Sequence, residues 1–209
     1  MRVRRNKAGD ETRAAILGSA IAVILDHGIA GLTLQEVARR AGVKYGNLTH
    51  HYPSRDALVT AVLNALEAQY LERFRAFAAS IGDHEGSPVA HLLDWLFDDA
   101  VTAQTAGIFL ELWACSTRDA RIAARAHCLY DQAIEACITA LGVSRHQTAA
   151  QPLRDALYFL GTIVEGSSAL FAAQTRDPAI YAAFRRDALA VVRPLIEQRL
   201  AQARESMTN

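Results

Sequence analysis

Residues 33–56 contain three strong helix-boundary signals, and these constrain the local fold more than any other part of the sequence. Thr33 followed by Glu36 matches a capping box, in which each side chain binds a free backbone amide at the start of a helix. Gly42 can adopt the positive φ of a tight turn that ends this helix. Pro53 disfavours helical conformation in the residue before it. The segment therefore predicts two short helices joined by a glycine turn.

A longer helix precedes this pair. From about residue 10, apolar residues recur at the i, i+4, i+7 spacing of one helix face, and Gly28 can end the helix in the left-handed conformation. Three helices with a glycine turn between the second and third form a helix-turn-helix. Leu48 and Tyr52 are predicted to pack inward, and the N-terminal residues of such a third helix contact base edges in the major groove. The outward face carries Lys44, Tyr45, Asn47, Thr49, His50 and His51.

Charge is distributed unevenly along the chain. The 22 basic and 22 acidic residues cancel, but residues 1–55 carry nine basic and four acidic residues, a net charge of +5, and the remainder carries −5. This asymmetry predicts a polyanionic partner for the N-terminal part only. Residues 1–9 form a basic arm that we expect to be loosely ordered, and either solvated or placed in a DNA groove. The arm contains Arg2, Arg4, Arg5 and Lys7.

The rest of the sequence predicts further helices. The chain has 40 Ala against 12 Gly and 5 Pro, and alanine is the best helix former whereas glycine and proline are the strongest breakers. No alternating strand pattern occurs. We therefore expect an all-α protein of about nine helices, with the arm at 1–9, a helix-turn-helix domain at 10–55 and a larger helical domain at 56–209. Its later helices are predicted at about 87–103, 107–117, 119–140, 148–174 and 178–204.

The cysteines and histidines argue against metal and disulfide chemistry. Cys115, Cys128 and Cys137 show no CxxC spacing, so we expect buried, reduced thiols in the cytoplasm. His50 and His51 are adjacent on a helix and point about 100° apart, which is unfavourable for shared metal ligation. We therefore expect neither a metal nor a cofactor.

Secretion, membrane insertion and catalysis are also disfavoured. No apolar run precedes Asp10, so no signal peptide is expected. The apolar stretch 156–173 could span a bilayer by length, but Glu165 in its middle favours a buried helix of a helical bundle. The sequence contains no nucleophile elbow, phosphate loop or spaced metal-ligand set, so the protein is not expected to be an enzyme.

The order of residues around the helix-turn-helix resembles the N-terminal domain of TetR-family transcriptional regulators. The resemblance covers about 47 residues, from Thr12 to Leu58, and includes Thr33-Leu34-Gln35-Glu36-Val37-Ala38 and Ala41-Gly42-Val43-Lys44-Tyr45-Gly46-Asn47-Leu48-Thr49-His50-His51-Tyr52-Pro53. It implies that Lys44, Tyr45, Gly46 and Asn47 contact bases. It further implies that Thr33, Thr49, His50, His51 and Arg55 contact phosphates, for which hydroxyl, imidazole and guanidinium donors are suited.

The remaining 150 or so residues resemble the family only in their layout. That layout implies a small-molecule effector pocket and a dimer interface formed by the last two helices of each subunit. Aromatic walls with a few polar groups suit a ligand, although for each aromatic taken singly a core position is the more common role. The candidate pocket residues are Trp95, Phe109, Glu111, Trp113, His127, Tyr130, Phe159 and Thr162. The candidate interface residues are Leu160, Gly161, Val164, Gly166, Ser167, Leu170 and Phe171; the same helices could instead form only the core of the monomer.

Two functions are consistent with these features. The first is a ligand-responsive DNA-binding regulator, expected to be a cytoplasmic repressor that binds a palindromic operator as a homodimer. The alternative is a helical small-molecule-binding or adaptor protein without DNA contact. The basic N-terminal part and its capping-box helix-turn-helix favour the first.

Overall fold

The computed structural model describes residues 2–81, 86–143, 150–172 and 177–208, and every regular element in these ranges is an α-helix. The expected all-α class and the expected number of helices are confirmed for this part of the chain. The elements are α1 (Arg2–Gly31), α2 (Leu34–Arg40), α3 (Tyr45–His51), α4 (Arg55–Ser80), α5 (Pro88–Ala100), α6 (Ala103–Ser116), α7 (Ala120–Ala140), α8 (Gln151–Phe171) and α9 (Pro178–Thr208).

Local side-chain and backbone signals account for several helix ends. Thr33 Oγ1 accepts a hydrogen bond from the Glu36 amide at 3.2 Å, which forms the first half of the predicted capping box. The Glu36 carboxylate does not form the second half; it accepts from Arg39 Nε at 2.8 Å. Gly42, with φ of 67°, follows the end of α2 in the left-handed conformation that glycine tolerates. Ser54 and Ser87 accept hydrogen bonds from the amides three residues further on, at 3.1 and 3.3 Å, and so cap α4 and α5.

Two helices begin earlier than expected. The helix α1 starts at Arg2, because neither proline nor glycine interrupts residues 2–8; the side chains of those residues lie outside what the structure describes. Gly28 (φ 70°, ψ 170°) kinks the chain where the sequence predicted the end of this helix. The helix α6 was predicted to start at about residue 107. It starts at Ala103 because the Thr102 side chain caps it.

The chain divides into two compact units, Met1–Tyr70 and Leu71–Asn209. The boundary lies within α4, later than the expected boundary at residue 55, because the first half of α4 contributes Leu58, Val62 and Leu66 to the buried residues. The core of the second unit is formed by buried side chains of α4, α5, α7, α8 and α9. Its largest members include Phe74, Leu92, Phe97, Ile138 and Leu153.

The helix α1, and not the 156–173 segment, contains the stretch that resembles a membrane span. Within the described residues, Gly9–Gly31 is the one stretch whose length and composition would suffice to cross a membrane. Ile16, Ala20 and Val23 on this helix are fully buried within the chain. Packing in the first unit therefore accounts for part of its apolar character.

The cysteines differ in exposure, which corrects the expectation that all three are buried. Cys137 is buried in the second unit, and burial raises the pKa of its thiol to about 12. Cys115 is half-buried and Cys128 is exposed, because each occupies a helix face that the core does not cover.

Candidate nucleic-acid interface and ligand cavity

The short helix α3 is anchored on one side and open on the other. Leu48 is fully buried, and Tyr52, which follows the helix, is only 5% exposed, so both pack inward as predicted. Burial raises the pKa of Tyr52. The residues expected to contact bases lie together at the exposed N-terminal end. They are Lys44, Tyr45, Gly46 and Asn47.

The side chains at this end project from the helix without capping it. Lys44 occupies the N-cap position in extended conformation and makes no side-chain cap hydrogen bond, because an ammonium group cannot accept one. Half of the Tyr45 side chain is exposed even though it is a large aromatic. Amine, phenol and amide groups are therefore presented on one short, well-anchored helix.

The expected phosphate-contacting residues have different surroundings. Thr33 is exposed, and its oxygen accepts the capping hydrogen bond described above. The Thr49 hydroxyl donates to the carbonyl of Gly46 at 3.2 Å. His50 is exposed and His51 half-buried, with ring centroids 5.6 Å apart. No group of three or more metal-binding side chains occurs within the described ranges.

Arg55 has a structural role that the sequence pattern does not reveal. Its Nε donates to the carbonyl of Leu32 at 2.9 Å, and its terminal nitrogen donates to the carbonyl of Ile29 at 2.6 Å. The guanidinium thereby connects the start of α4 to the last turn of α1 and to the backbone that follows it. These partners are more than 20 residues distant in sequence, so no local signal indicates them.

The second unit contains a cavity of about 460 Å³ among α6, α7 and α8. Its volume is within the range of small-molecule sites. Trp113 and Tyr130 meet with interplanar angle 64° and centroids 5.9 Å apart, and Tyr130 and Tyr158 stack at 6.0 Å. The lining residues are Trp113, His127, Tyr130, Asp131, Tyr158, Thr162 and Glu165.

Two carboxylates contribute polar groups to this cavity. Glu165 accepts a hydrogen bond from the Trp113 indole nitrogen at 3.0 Å, while burial raises the pKa of Glu165. Asp131 accepts a hydrogen bond from the Tyr158 hydroxyl, which raises the pKa of Tyr158 to about 12. Burial, followed by the nearby Glu165 charge, also raises the pKa of Tyr130.

Four of the eight predicted pocket residues line this cavity: Trp113, His127, Tyr130 and Thr162. The sequence alone did not indicate Asp131, Tyr158 or Glu165 as lining residues, although a carboxylate in the apolar stretch 156–173 was a usable signal for Glu165.

Three aromatic predictions require correction. Trp95 stacks on Phe77 at 4.6 Å in the α4–α5 contact, and Phe109 is buried outside the lining set. Phe159 faces outward, and Glu111 is not among the lining residues.

The predicted dimer-interface residues fall on different faces of α8. Leu160 and Ser167 are buried within the monomer and cannot form a surface, because they pack into the second unit. Gly161 lies against Tyr130: a Cβ added there would be 1.7 Å from the tyrosine oxygen. Val164 packs on the core, and the Phe171 ring lies 5.2 Å from that of Tyr181. Gly166 and Leu170 are exposed, and Leu170 is 56% exposed.

Together, the fold and the two sites define a helical protein with an N-terminal helix-turn-helix and a separate cavity-bearing unit. Residues 16–62 match the profile of the family described as bacterial regulatory proteins, tetR family. The segment that contains the helix-turn-helix therefore matches the TetR family.

Similarity to individual proteins agrees with this assignment. The chain is 25% identical to the HTH-type transcriptional regulator BetI of Stenotrophomonas maltophilia over 112 residues, which cover 53% of this chain and 57% of that protein. A structure described as a TetR-family transcriptional regulator from Mesorhizobium loti has a TM-score of 0.67 at 14% identity, covering 92% of this chain and 96% of the other. The multidrug binding protein EbrR complexed with imidazole has a TM-score of 0.60 at 23% identity, covering 86% and 89%.

These similarities differ in what they cover. The matched part of the chain spans between 35% and 57% of the length of the curated relatives. The structural neighbours are below 25% identity and support the fold alone. Functional assignment of the whole chain therefore depends on its own sites.

Proposed function

We propose that this protein is a DNA-binding transcriptional regulator whose α3 contacts bases in the major groove. The observation that carries this proposal is the exposed cluster Lys44–Asn47 on a helix that Leu48 anchors, in a unit that matches the TetR family. Amine and amide side chains can bind base edges, and Gly46 permits close approach of the backbone.

Phosphate contacts around α3 would position it. Thr33 and His50 are exposed and carry donors, as does the half-buried His51, and Arg55 has guanidinium hydrogens beyond the two used within the protein. Thr49 would contact a phosphate by turning its single hydroxyl hydrogen away from the Gly46 carbonyl. The net charge of +5 on residues 1–55 favours association with a polyanion at any sequence.

We infer that two copies pair through α8 and α9 to place two such helices on a palindromic operator. Eight large apolar side chains are exposed in the described part of the chain, and five of them lie on these two helices. Tyr158 is one of the five and lines the cavity; the other four are Phe159, Leu170, Ile180 and Val191. Exposed apolar groups concentrated on one helix pair indicate an interface. A groove lined by Phe159, Leu195 and Arg199 lies along the same pair.

Dimerisation is testable with a matched pair of substitutions. Leu170→Glu should convert the dimer to monomer in sedimentation velocity, because it places a charge in the paired apolar surface. Leu110→Glu, on α6 with 38% exposure, should leave the dimer intact. Equal effects of the two changes would exclude α8 as the interface.

The cavity in the second unit is the proposed effector site. A ligand there can lower DNA affinity only to the extent that it binds the DNA-competent and DNA-incompetent conformations differently. Release of the operator on ligand binding would make the protein a ligand-responsive repressor in the cytoplasm.

A footprint on the DNA that flanks the coding region of this protein tests the whole proposal. A protected site with two-fold symmetry would support it, and Tyr45→Ala should require a higher protein concentration for the same sequence-specific protection. Absence of specific protection there and in a random-sequence selection would favour the alternative of a helical ligand-binding or adaptor protein.

A further inference from the structure

The chemistry of the cavity wall indicates a class of ligand. We propose that the cavity binds an organic cation, whose charge is balanced by Glu165 and whose alkyl or aryl groups lie against Trp113 and Tyr130. This inference rests on the proposed role of the cavity as the effector site.

The aromatic part of the wall suits a cation. The rings of Trp113 and Tyr130 are inclined at 64° to each other and both line the cavity. Tyr158 adds a third ring, which stacks on Tyr130. The face of an aromatic ring is electronegative and attracts a cation within about 6 Å of its centroid, tryptophan most strongly. Three such rings around one volume favour a bulky ammonium group whose methyl groups can touch several faces.

The charged part of the wall points to the same class. Glu165 and Asp131 both line the cavity, whereas no lysine or arginine does so in the part of the chain that the structure describes. His127 is the one lining side chain that can become cationic. A carboxylate withdrawn from water without a counter-ion is unfavourable, and a cationic ligand would supply that counter-ion. An anionic ligand would instead meet two acidic groups.

The hydrogen bonds select Glu165 over Asp131 as the counter-ion. Asp131 is occupied by the Tyr158 hydroxyl, a short contact between α7 and α8. One oxygen of Glu165 accepts from the Trp113 indole at 3.0 Å, which orients the carboxylate next to that ring. Its other oxygen has no hydrogen-bond donor among the described residues.

Two probes of nearly equal shape separate charge from size. Trimethylphenylammonium carries a permanent positive charge, and tert-butylbenzene is its neutral isostere. The chain contains two tryptophans, so a full-length Trp95→Phe variant leaves Trp113 in the cavity as the sole indole reporter. Titration followed by tryptophan fluorescence, without DNA, should show saturable binding of the cation and at least tenfold weaker binding of the neutral probe.

Variants in this background test the assigned groups. Glu165→Gln should weaken the cation at least tenfold and leave the neutral probe unaffected, because glutamine keeps an acceptor for Trp113 but loses the charge. Tyr158→Leu should also weaken the cation by removing one ring. Glu72→Gln, which removes an exposed carboxylate on α4, should change neither. Circular dichroism verifies that each variant is folded.

Three outcomes would overturn the proposal: equal affinity for the two probes, undiminished cation affinity in folded Glu165→Gln, or no binding of either probe. Because binding is measured without DNA, the result is separable from the proposed regulation. A cation that binds through Glu165 but leaves operator binding unchanged would refute the regulatory role and retain the ligand class.

Discussion

Replacing Arg55 with alanine should destabilise the helix-turn-helix unit itself. The guanidinium donates to the carbonyls of Leu32 and Ile29 at 2.9 and 2.6 Å, and so connects α4 to the end of α1 and the residue that follows it. Arg55→Ala removes both hydrogen bonds, although the Ile29 carbonyl keeps its bond from the Leu32 amide at 3.2 Å. The turn that positions α2 and α3 should therefore open more often.

The structure sets the size of this effect. A hydrogen bond from a charged donor contributes about 1.5–3 kcal/mol to stability. Arg55 is an exposed residue and its two bonds are only partly buried, so water compensates part of the loss and the two contributions do not add fully. We expect the pair to contribute about 2 kcal/mol, which corresponds to about a 30-fold more populated open state.

Hydrogen exchange with mass spectrometry resolves this change, because both tryptophans lie in the second unit and fluorescence would not report it. Amides of α2 and α3 should exchange about 30-fold faster in Arg55→Ala, with the second unit unchanged. Arg39→Ala is the control: its side chain is 72% exposed and pairs with Glu36 on the same helix, so its loss should leave the exchange of α2 and α3 close to that of the wild type. Equal exchange in the two variants would refute the role of Arg55 as a link.

The same variant separates that role from a phosphate contact. If the remaining guanidinium hydrogens bind a phosphate, Arg55→Ala should lower the slope of log affinity against log salt by about one. If Arg55 acts only within the protein, the DNA affinity of Arg55→Ala is first corrected for the fraction of molecules in the open state. The corrected affinity should then depend on salt with the wild-type slope.

Three further changes have expected outcomes. Tyr45→Ala should reduce specific operator affinity by about 1–3 kcal/mol in fluorescence anisotropy and leave non-specific DNA binding unchanged; an unaltered specific affinity would remove Tyr45 from base recognition. Gly161→Ala should displace the Tyr130 ring, since the new Cβ would lie 1.7 Å from its oxygen and 2.6 Å from its Cζ, and ligand affinity measured by calorimetry should fall at least tenfold. Burial raises the pKa of Glu165, so its contribution to stability is present below about pH 4.5 and is lost as the pH rises through the raised value. Thermal melts should therefore show Glu165→Gln gaining stability over wild type as the pH rises, and a constant difference between the two would contradict this.

Local signals were sufficient to predict the helix-turn-helix. The cap at Thr33, the positive φ at Gly42 and the inward packing of Leu48 each depend on residues within a few positions of one another. The role of Arg55 could not be predicted in this way, because its carbonyl partners are brought near by the packing of three helices. The early start of α1 was missed because no residue in 2–8 forbids or requires a helix.

The cavity was predicted only in part, because aromatic residues serve packing and binding equally well. Trp95 and Trp113 have similar sequence surroundings, yet Trp95 stacks on Phe77 and Trp113 bonds to Glu165. The distinguishing feature of the second is a polar partner 52 residues away. Glu165 was visible in the sequence as a carboxylate inside an apolar stretch. In the structure this carboxylate lines the cavity.

The helix α8 shows why residue composition could not assign its roles. Leu153, Leu160 and Ser167 recur at seven-residue intervals and face the core. Tyr158, Thr162 and Glu165 follow at i, i+4 and i+7 and face the cavity. Phe159, Gly166 and Leu170 form a third, outward face at i, i+7 and i+11. Each face mixes large and small residues, so the type of a residue does not reveal which face it occupies. Its spacing from a residue known to point inward does. If the outward face pairs two subunits, a dimer contact and a ligand contact lie on adjacent faces of one helix, and a shift of α8 that accommodates a ligand must also move the interface.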